Sequence, residues 1–379
     1  MFVTIVILFS VLFPLLMSNK KKGLIVSMCL LFILWGLEYD LVRDWVYNLE
    51  RWNIANNPSE VKNYGVNTDF LYQLILKIFK PITFYGWLML CAVFELYVIY
   101  KFTRKFVPPK YYWVTIFILM MRTYLGFQMI NSNRQTIALM FTMCSLLLAL
   151  YALDIQRSKR RLMILLFSAT LLISSFFVHA GAAFSLLLIP IYILTPMLNN
   201  LKVKYIVLIF NLIFFSRYFV SSELLHGLFV EYWGNIGSES YAGYLSEMED
   251  LTFQNSFFEQ FFNWIIITVS AVYFKKLSNV CKMFAVCYLA SLFFQTFLGA
   301  NIQRVMIFLS IYVIFLVPNL VYIVNRNIIG TKRLIPQLIY CLLIGFCIMS
   351  YYKYLYLSPY GNLYKWINFS TIFQAPAWH

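Results

Sequence analysis

Long apolar stretches separated by short polar ones set the plan of this chain. They fall at about 1–17, 24–37, 82–100, 111–130, 135–153, 162–178, 181–198, 205–222, 260–274, 283–299, 305–324 and 334–352. Runs of this kind predict an all-α fold, a polytopic integral membrane helical bundle of about twelve transmembrane helices. Twelve spans of ~20 residues consume ~240 residues, which leaves room for loops and tails. Three polar segments are long: residues 38–80, residues 223–258 and the tail 353–379. No linker or separate soluble domain is visible. The expected organisation is therefore one integral membrane domain over residues 1–379, decorated by those two loops and the tail.

Composition agrees. Of 379 residues, 62% are hydrophobic and 12% charged, against ~45–50% and ~25% in soluble domains. A soluble, disordered or collagen-like chain is excluded. The first run could be read as a signal peptide. It lacks a basic segment before it, however, and Lys20, Lys21 and Lys22 follow it, so a span with its N-terminus outside is expected.

The net charge is +15, and its distribution gives an orientation. Alternate loops hold 19 basic residues, from Lys20–Lys22 through Lys101, Arg104, Arg160, Arg161 and Lys275 to Arg333, with Asp154 as their single acid. The opposite side holds 9 basic and 13 acidic residues. The positive-inside rule assigns the first set to the cytoplasm, which places both termini on the opposite, external side of the membrane. Topology accounts for the basic residues, so nucleic acid is not an expected partner. The loop 223–258 carries Glu223, Glu231, Glu239, Glu247, Glu249 and Asp250 but no Lys or Arg. Chemistry is expected on the external side, on loops held by the helical scaffold.

The seven cysteines all lie in apolar runs and form no CxxC pair, so neither a zinc site nor a disulfide framework is expected. They read as small buried hydrophobes. Walker A, GxGxxG, HExxH and GxSxG patterns are absent, as is a DxD metal motif. No metal or cofactor is expected.

Arginine and histidine are the informative residues. Asn131-Ser132-Asn133-Arg134 and Asn301-Ile302-Gln303-Arg304 each open an inward-running apolar stretch. Asn caps helix N-termini, and a helix N-terminus attracts anions. Arg adds a planar fork for phosphate oxygens. The bland alternative is an arginine snorkelling to lipid headgroups. Arg122 and Arg217 fall inside apolar runs, in their outer halves, where an arginine commonly lines a polar cavity. Glu95 is expected toward the cytoplasmic end of its helix, apart from them. His179, in Phe176-Phe177-Val178-His179-Ala180-Gly181, sits at an external hairpin. The following helix dipole favours a neutral imidazole there, suited to a general base or to a simple cap. In the first external loop, Asp40, Arg43 and Asp44 share a face if helical, beside Tyr39 and Trp45. Carboxylates next to aromatic rings suit a sugar.

Asp40-Leu41-Val42-Arg43, Asn131-Ser132-Asn133-Arg134-Gln135-Thr136-Ile137-Ala138, Phe177-Val178-His179-Ala180-Gly181-Ala182 and Gln303-Arg304-Val305, in this order, resemble motifs of EpsG-like, Wzy-type bacterial polysaccharide polymerases. The resemblance spans roughly residues 38–325. It implies a GT-C-like glycosyltransferase at the outer membrane face, acting without a nucleotide sugar or obligatory metal. Such enzymes join oligosaccharide repeat units carried on undecaprenyl pyrophosphate. The donor and acceptor lipids are then the expected partners, and a chain-length regulator is a further candidate. Mapped onto this chain, Arg134 and Arg304 hold the pyrophosphate, with Asn131 and Gln303 beside them. His179 deprotonates or orients the acceptor hydroxyl. Asp40 and Arg43 shape the sugar site, Asp44 stands where related sequences more often have an aromatic residue or His, and Arg122 and Arg217 are secondary phosphate contacts. Three rivals remain: a GT-C enzyme transferring one sugar from a polyprenyl phosphate, a flippase for lipid-linked oligosaccharides, and a membrane acyltransferase. The buried arginines lie only in the outer half, which argues against a transport path open to both faces.

Overall fold

A computed structural model of the chain describes residues 2–37, 45–61, 69–121, 129, 133–156, 158–216, 257–297, 305–327, 344–345 and 348. All regular structure among them is helical. The first eleven apolar runs each carry helix, and the twelfth falls largely outside the described residues. Five segments are long and apolar enough to cross a membrane: Lys80–Phe106, Asn133–Leu153, Ser158–Val178, Ala180–Asn200 and Ile307–Asn327. Several other apolar helices are shorter, among them Phe2–Leu16 and Val203–Ser216. The chain is thus a helical membrane protein.

Two compact units emerge from its contacts, residues 1–183 with 348–379, and residues 184–347. In the first unit, α1 (Phe2–Leu16) and α2 (Lys20–Gly36) form a tight hairpin. Asn19 caps α2, its side chain accepting from Lys22 N–H at 3.1 Å. Ser27 Oγ donates to the Ser10 carbonyl across the hairpin. Gly23 makes that approach possible, because a Cβ there would lie 2.7 Å from the Phe13 carbonyl oxygen.

The segment that follows α2, expected from the sequence to be external, holds two helices, α3 (Trp45–Asn56) and α4 (Phe70–Ile78), which pack on each other. Aromatic rings bind them to α5 (Thr83–Phe106): Trp45 meets Phe84 edge-on at 5.7 Å, and Phe79 meets Trp87 at 5.3 Å. Such a cluster at a helix end is what a membrane interface favours. Thr83 turns the chain into α5 with a φ of 61°, the left-handed region, and its hydroxyl accepts from Gly86 N–H at 3.4 Å. The short helix α6 (Tyr112–Met121) then packs on α1.

Next come α7 (Asn133–Leu153) and α8 (Ser158–Val178), an antiparallel pair joined by small polar residues. Ser145 Oγ donates to the Ser168 carbonyl at 2.7 Å, and Ser168 Oγ donates to the Ser145 carbonyl at 2.8 Å. One helical step outward, Thr142 Oγ1 donates to Ser175 Oγ at 3.3 Å. Small hydroxyl residues let helix backbones approach closely where acyl chains offer no hydrophobic drive. Leu162, Met163, Leu166, Phe167 and Ile173 on the other face of α8 are exposed, which makes that face the lipid-facing one.

In the second unit a 3₁₀ stretch, residues 180–187, runs into α9 (Leu188–Asn200), followed by α10 (Val203–Ser216), α11 (Phe257–Val272), α12 (Asn279–Phe297) and α13 (Val313–Asn327). The segment Ile307–Asn327 is its core, with 89% of its apolar window buried against 17% for Ser158–Val178. Phe284 on α12 stacks flat on Tyr312 at 5.0 Å. Two polar pairs join its helices: Tyr288 donates to Asn263 Oδ1 at 2.6 Å, and Trp264 Nε1 donates to Asn211 Oδ1 at 2.7 Å. Cys91, Cys281 and Cys287 are buried thiols, while Cys29 is exposed, and none of the described cysteines is in a disulfide.

Candidate functional site

Arg134, Asp69 and Arg51 of the first unit converge with His179 at the end of the bundle where α7 begins and α8 stops. Arg134 is the second residue of α7 and is largely buried. Its Nη1 donates to Asp69 Oδ2 at 2.9 Å, in the one salt bridge found among the described residues. Asp69 occupies the N-cap position of α4, where its side chain would ordinarily accept from its own helix. It makes no such cap. Its carboxylate reaches instead to a residue 65 positions away. Burial raises the Asp69 carboxyl above its ordinary value, and the positive charges of Arg134 and Arg51 pull it back down in part.

Arg51 enters from α3, where its Nη1 donates to Asn48 Oδ1 at 3.0 Å. On α4, the buried Tyr72 lies against Trp87 and within electrostatic reach of both arginines. Burial pushes its hydroxyl well above the ordinary range. A phenol kept neutral in this way donates a hydrogen bond without carrying charge.

His179 closes the group from the end of α8. Its backbone N–H donates to the Ser175 carbonyl at 3.0 Å, and its own carbonyl accepts from Ala182 N–H at 2.9 Å. The ring is fixed as well, since Gly181 N–H donates to His179 Nδ1 at 3.0 Å. Burial lowers the imidazole to about 3, and the charges of Arg134 and Arg51 push the same way. His179 is therefore neutral at physiological pH. The cause is burial together with two guanidinium groups rather than the helix dipole that the sequence suggested.

Beneath Arg134 lies a cavity of about 10 Å³, bordered by Trp35, Cys91, Glu95, Met129 and Asn133, about the room one water needs. Trp35 Nε1 and Asn133 Oδ1 are buried there without a hydrogen bond among the described residues. Glu95 shares this cavity with Asn133, the residue before Arg134. The sequence expectation set Glu95 apart from Arg122 and Arg217, and both of those arginines lie outside the described residues. Residues spaced through the middle of α5 face the start of α7 because the two helices pack along their length.

Of the sequence-nominated residues, the structure brings His179 and Arg134 together. Asp40, Arg43, Asp44, Arg122, Asn131, Arg217, Gln303 and Arg304 lie outside the described residues. Arg51, Asp69 and Tyr72 were not nominated. Asp69 directly before an amphipathic run reads locally as a helix cap, and Arg51 as an ordinary charge on a loop helix. The one available signal was the number of polar residues, Asn48, Glu50 and Asn53, interleaved with Trp45 and Trp52. All of these turn out to be buried.

The EpsG family model matches residues 21–371. The chain belongs to the EpsG family. No curated protein and no solved structure matches it. Membership marks an EpsG-family membrane protein of polysaccharide biosynthesis, a group associated with glycosyltransferase-like polymerase activity. The site described above lies wholly within the matched segment.

Proposed function

We propose that this EpsG-family protein is a polysaccharide polymerase. It joins undecaprenyl-pyrophosphate-linked oligosaccharide repeat units at the outer face of the bacterial cytoplasmic membrane. The growing chain leaves its lipid and moves to a hydroxyl of the next unit. The observation that carries this reading is the cluster of Arg134, Arg51, Asp69 and neutral His179 at one end of an apolar bundle. Two guanidinium groups at the rim of a low-dielectric scaffold suit a pyrophosphate. They also stabilise the charge that grows on it as it leaves.

In this reading Arg134 grips the donor pyrophosphate, Arg51 adds a second positive charge, and Arg304 is a further phosphate-binding arginine. Pyrophosphate is a good leaving group, so positive charge and removal of one proton suffice without a metal. Asp40, Arg43 and Asp44 belong to the sugar-binding part, with Asn131, Gln303, Arg122 and Arg217 around the phosphates. The aromatic rings of Trp45, Phe84 and Tyr85 offer flat faces for sugar rings beside that site.

Purified protein incubated with its lipid-linked repeat unit tests the reading directly. The expected product is a gel ladder spaced by whole repeat units, lost in Arg134→Ala with the variant still folded. A product one sugar longer indicates the single-sugar transferase. Unchanged substrate, with accumulation of repeat units on the inner leaflet in a deletion strain, indicates the flippase.

A further inference from the structure

We propose that Asp69 is the base that takes the proton from the acceptor hydroxyl, and that His179 serves the same reaction as a hydrogen-bond donor through Nε2. The proposal rests on the polymerase reading and divides the work within its site.

The argument for His179 is one of geometry. Its Nδ1 accepts the Gly181 N–H, so that lone pair is engaged. A neutral imidazole with an accepting Nδ1 carries its hydrogen on Nε2. Neither nitrogen then has a lone pair to offer an incoming proton. Nearby Arg134 and Arg51 oppose any added positive charge. The Nε2–H of this tautomer is a donor of fixed direction beside two arginines, of the kind a phosphate oxygen accepts from.

The argument for Asp69 is complementary. Its Oδ2 is bound by Arg134, while Oδ1 makes no hydrogen bond among the described residues. Its side chain is 35% exposed, whereas Glu50 and Glu95 in the same unit are 2% and 4% exposed. Among the described residues, Asp69 is thus the partly exposed carboxylate paired with Arg134, within reach of a ligand held there. It also leaves its own helix uncapped to stand there, a local sacrifice of ~1 kcal/mol. Burial holds its carboxyl above the ordinary value, which makes it a better base than an exposed aspartate.

The step balances. The acceptor hydroxyl oxygen bonds to the anomeric carbon of the donor, and its proton passes to Asp69 Oδ1. The bond from that carbon to the pyrophosphate oxygen breaks, and its electron pair leaves with the pyrophosphate. Arg134, Arg51 and the His179 Nε2–H meet the resulting charge. Among the described residues, the charged groups facing Asp69 are Arg134 on α7 and Arg51 on α3, and His179 at the end of α8 faces the same two.

The test measures kcat and KM for ladder formation with the purified full chain and its lipid-linked repeat unit, between about pH 5 and 8. Variants are Asp69→Asn, Asp69→Glu, His179→Gln and His179→Ala, each checked for folding by thermal unfolding in detergent. Asp69→Asn, which can still accept from Arg134, is expected to lose about 10²–10⁴-fold in kcat with KM little changed, and to lose the acid limb of the pH profile. Asp69→Glu keeps the acid limb at reduced kcat. His179→Gln, which retains an N–H near Nε2, stays within about tenfold of wild type, and His179→Ala falls further. The assignment is overturned if Asp69→Asn keeps its kcat or loses only affinity. It is equally overturned if His179→Gln is as inactive as His179→Ala and the acid limb vanishes with either. A wild-type chain that forms no ladder from intact substrate sinks the polymerase reading and this assignment together, while a wild-type ladder with the wrong variant order sinks the assignment alone.

Discussion

Asp69 gives its carboxylate to Arg134, at 2.9 Å and across 65 residues of chain, instead of to the helix it begins. The pair ties the first external segment to the start of α7. It also fixes the guanidinium that faces His179. Truncating both residues measures how tightly the two elements are coupled. In a double-mutant cycle of Arg134→Ala and Asp69→Ala, thermal unfolding in detergent should show a coupling of about 1 kcal/mol, as for a partly exposed ion pair. A coupling near zero would mean that the helices of the first external segment are held by their aromatic contacts alone.

The serine seam between α7 and α8 joins packing to function, because α7 begins with Arg134 and α8 ends at His179. Ser168→Ala removes hydrogen bonds but no volume that matters, and should cost ~0.6 kcal/mol. Ser168→Leu forces the helices apart at the Ser145 contact and should cost 1–3 kcal/mol, of the order expected for overpacking. Polymer length in cells should fall far more for the leucine variant. Equal polymer from both would show that the site tolerates separation of these helices.

The α1–α2 hairpin depends on one glycine. A methyl at Gly23 meets the Phe13 carbonyl oxygen at 2.7 Å and Pro14 Cα at 2.9 Å, both backbone atoms that cannot swing away. Gly23→Ala should therefore destabilise by roughly 1–3 kcal/mol. Gly86 is the control: its added methyl meets side-chain atoms alone, Ile82 Cβ at 3.2 Å and Thr83 Oγ1 at 3.7 Å, within a helix that gains ~1 kcal/mol from alanine. Gly86→Ala should match or exceed wild type in melting temperature. A harmless Gly23→Ala would refute the close crossing.

His179 gives the fold an acid sensitivity whose sign is fixed. The ring binds a proton near 6.5 when unfolded and only near 3 when folded. Its contribution is complete above the unfolded value and is lost as the pH falls from there toward about 3, since the unfolded chain takes up the proton first. Replacing it with a residue that does not titrate removes that loss. The melting temperature of wild type should drop relative to His179→Gln between about pH 6.5 and pH 4. Parallel curves for the two proteins would show that His179 is protonated as easily when folded as when unfolded.

The sequence by itself determined the helices, because apolar runs of membrane length leave the backbone no other way to satisfy its hydrogen bonds. It determined where Arg134 and His179 stand along their helices, since each interrupts the pattern at a helix end. The charge map also groups residues 38–80, the start of α7 and the His179 hairpin on one side. The tertiary structure unites members of all three groups in one cluster.

Only the tertiary structure decided which charges meet. Arg51 and Asp69 lie in a segment that reads as a polar external loop, and nothing local separates them from Lys62 or Lys77. Their role depends on α3 and α4 folding back over the ends of α5 and α8, through contacts among Trp45, Phe84, Phe79 and Trp87. The meeting of Glu95 and Asn133 at one cavity has the same origin. Position along a helix gives depth in a membrane, whereas the neighbour across the helix interface follows from packing between residues far apart in the chain. The tautomer of His179 likewise waited on a hydrogen bond from Gly181, whose direction the 3₁₀ turn sets and the sequence pattern does not reveal.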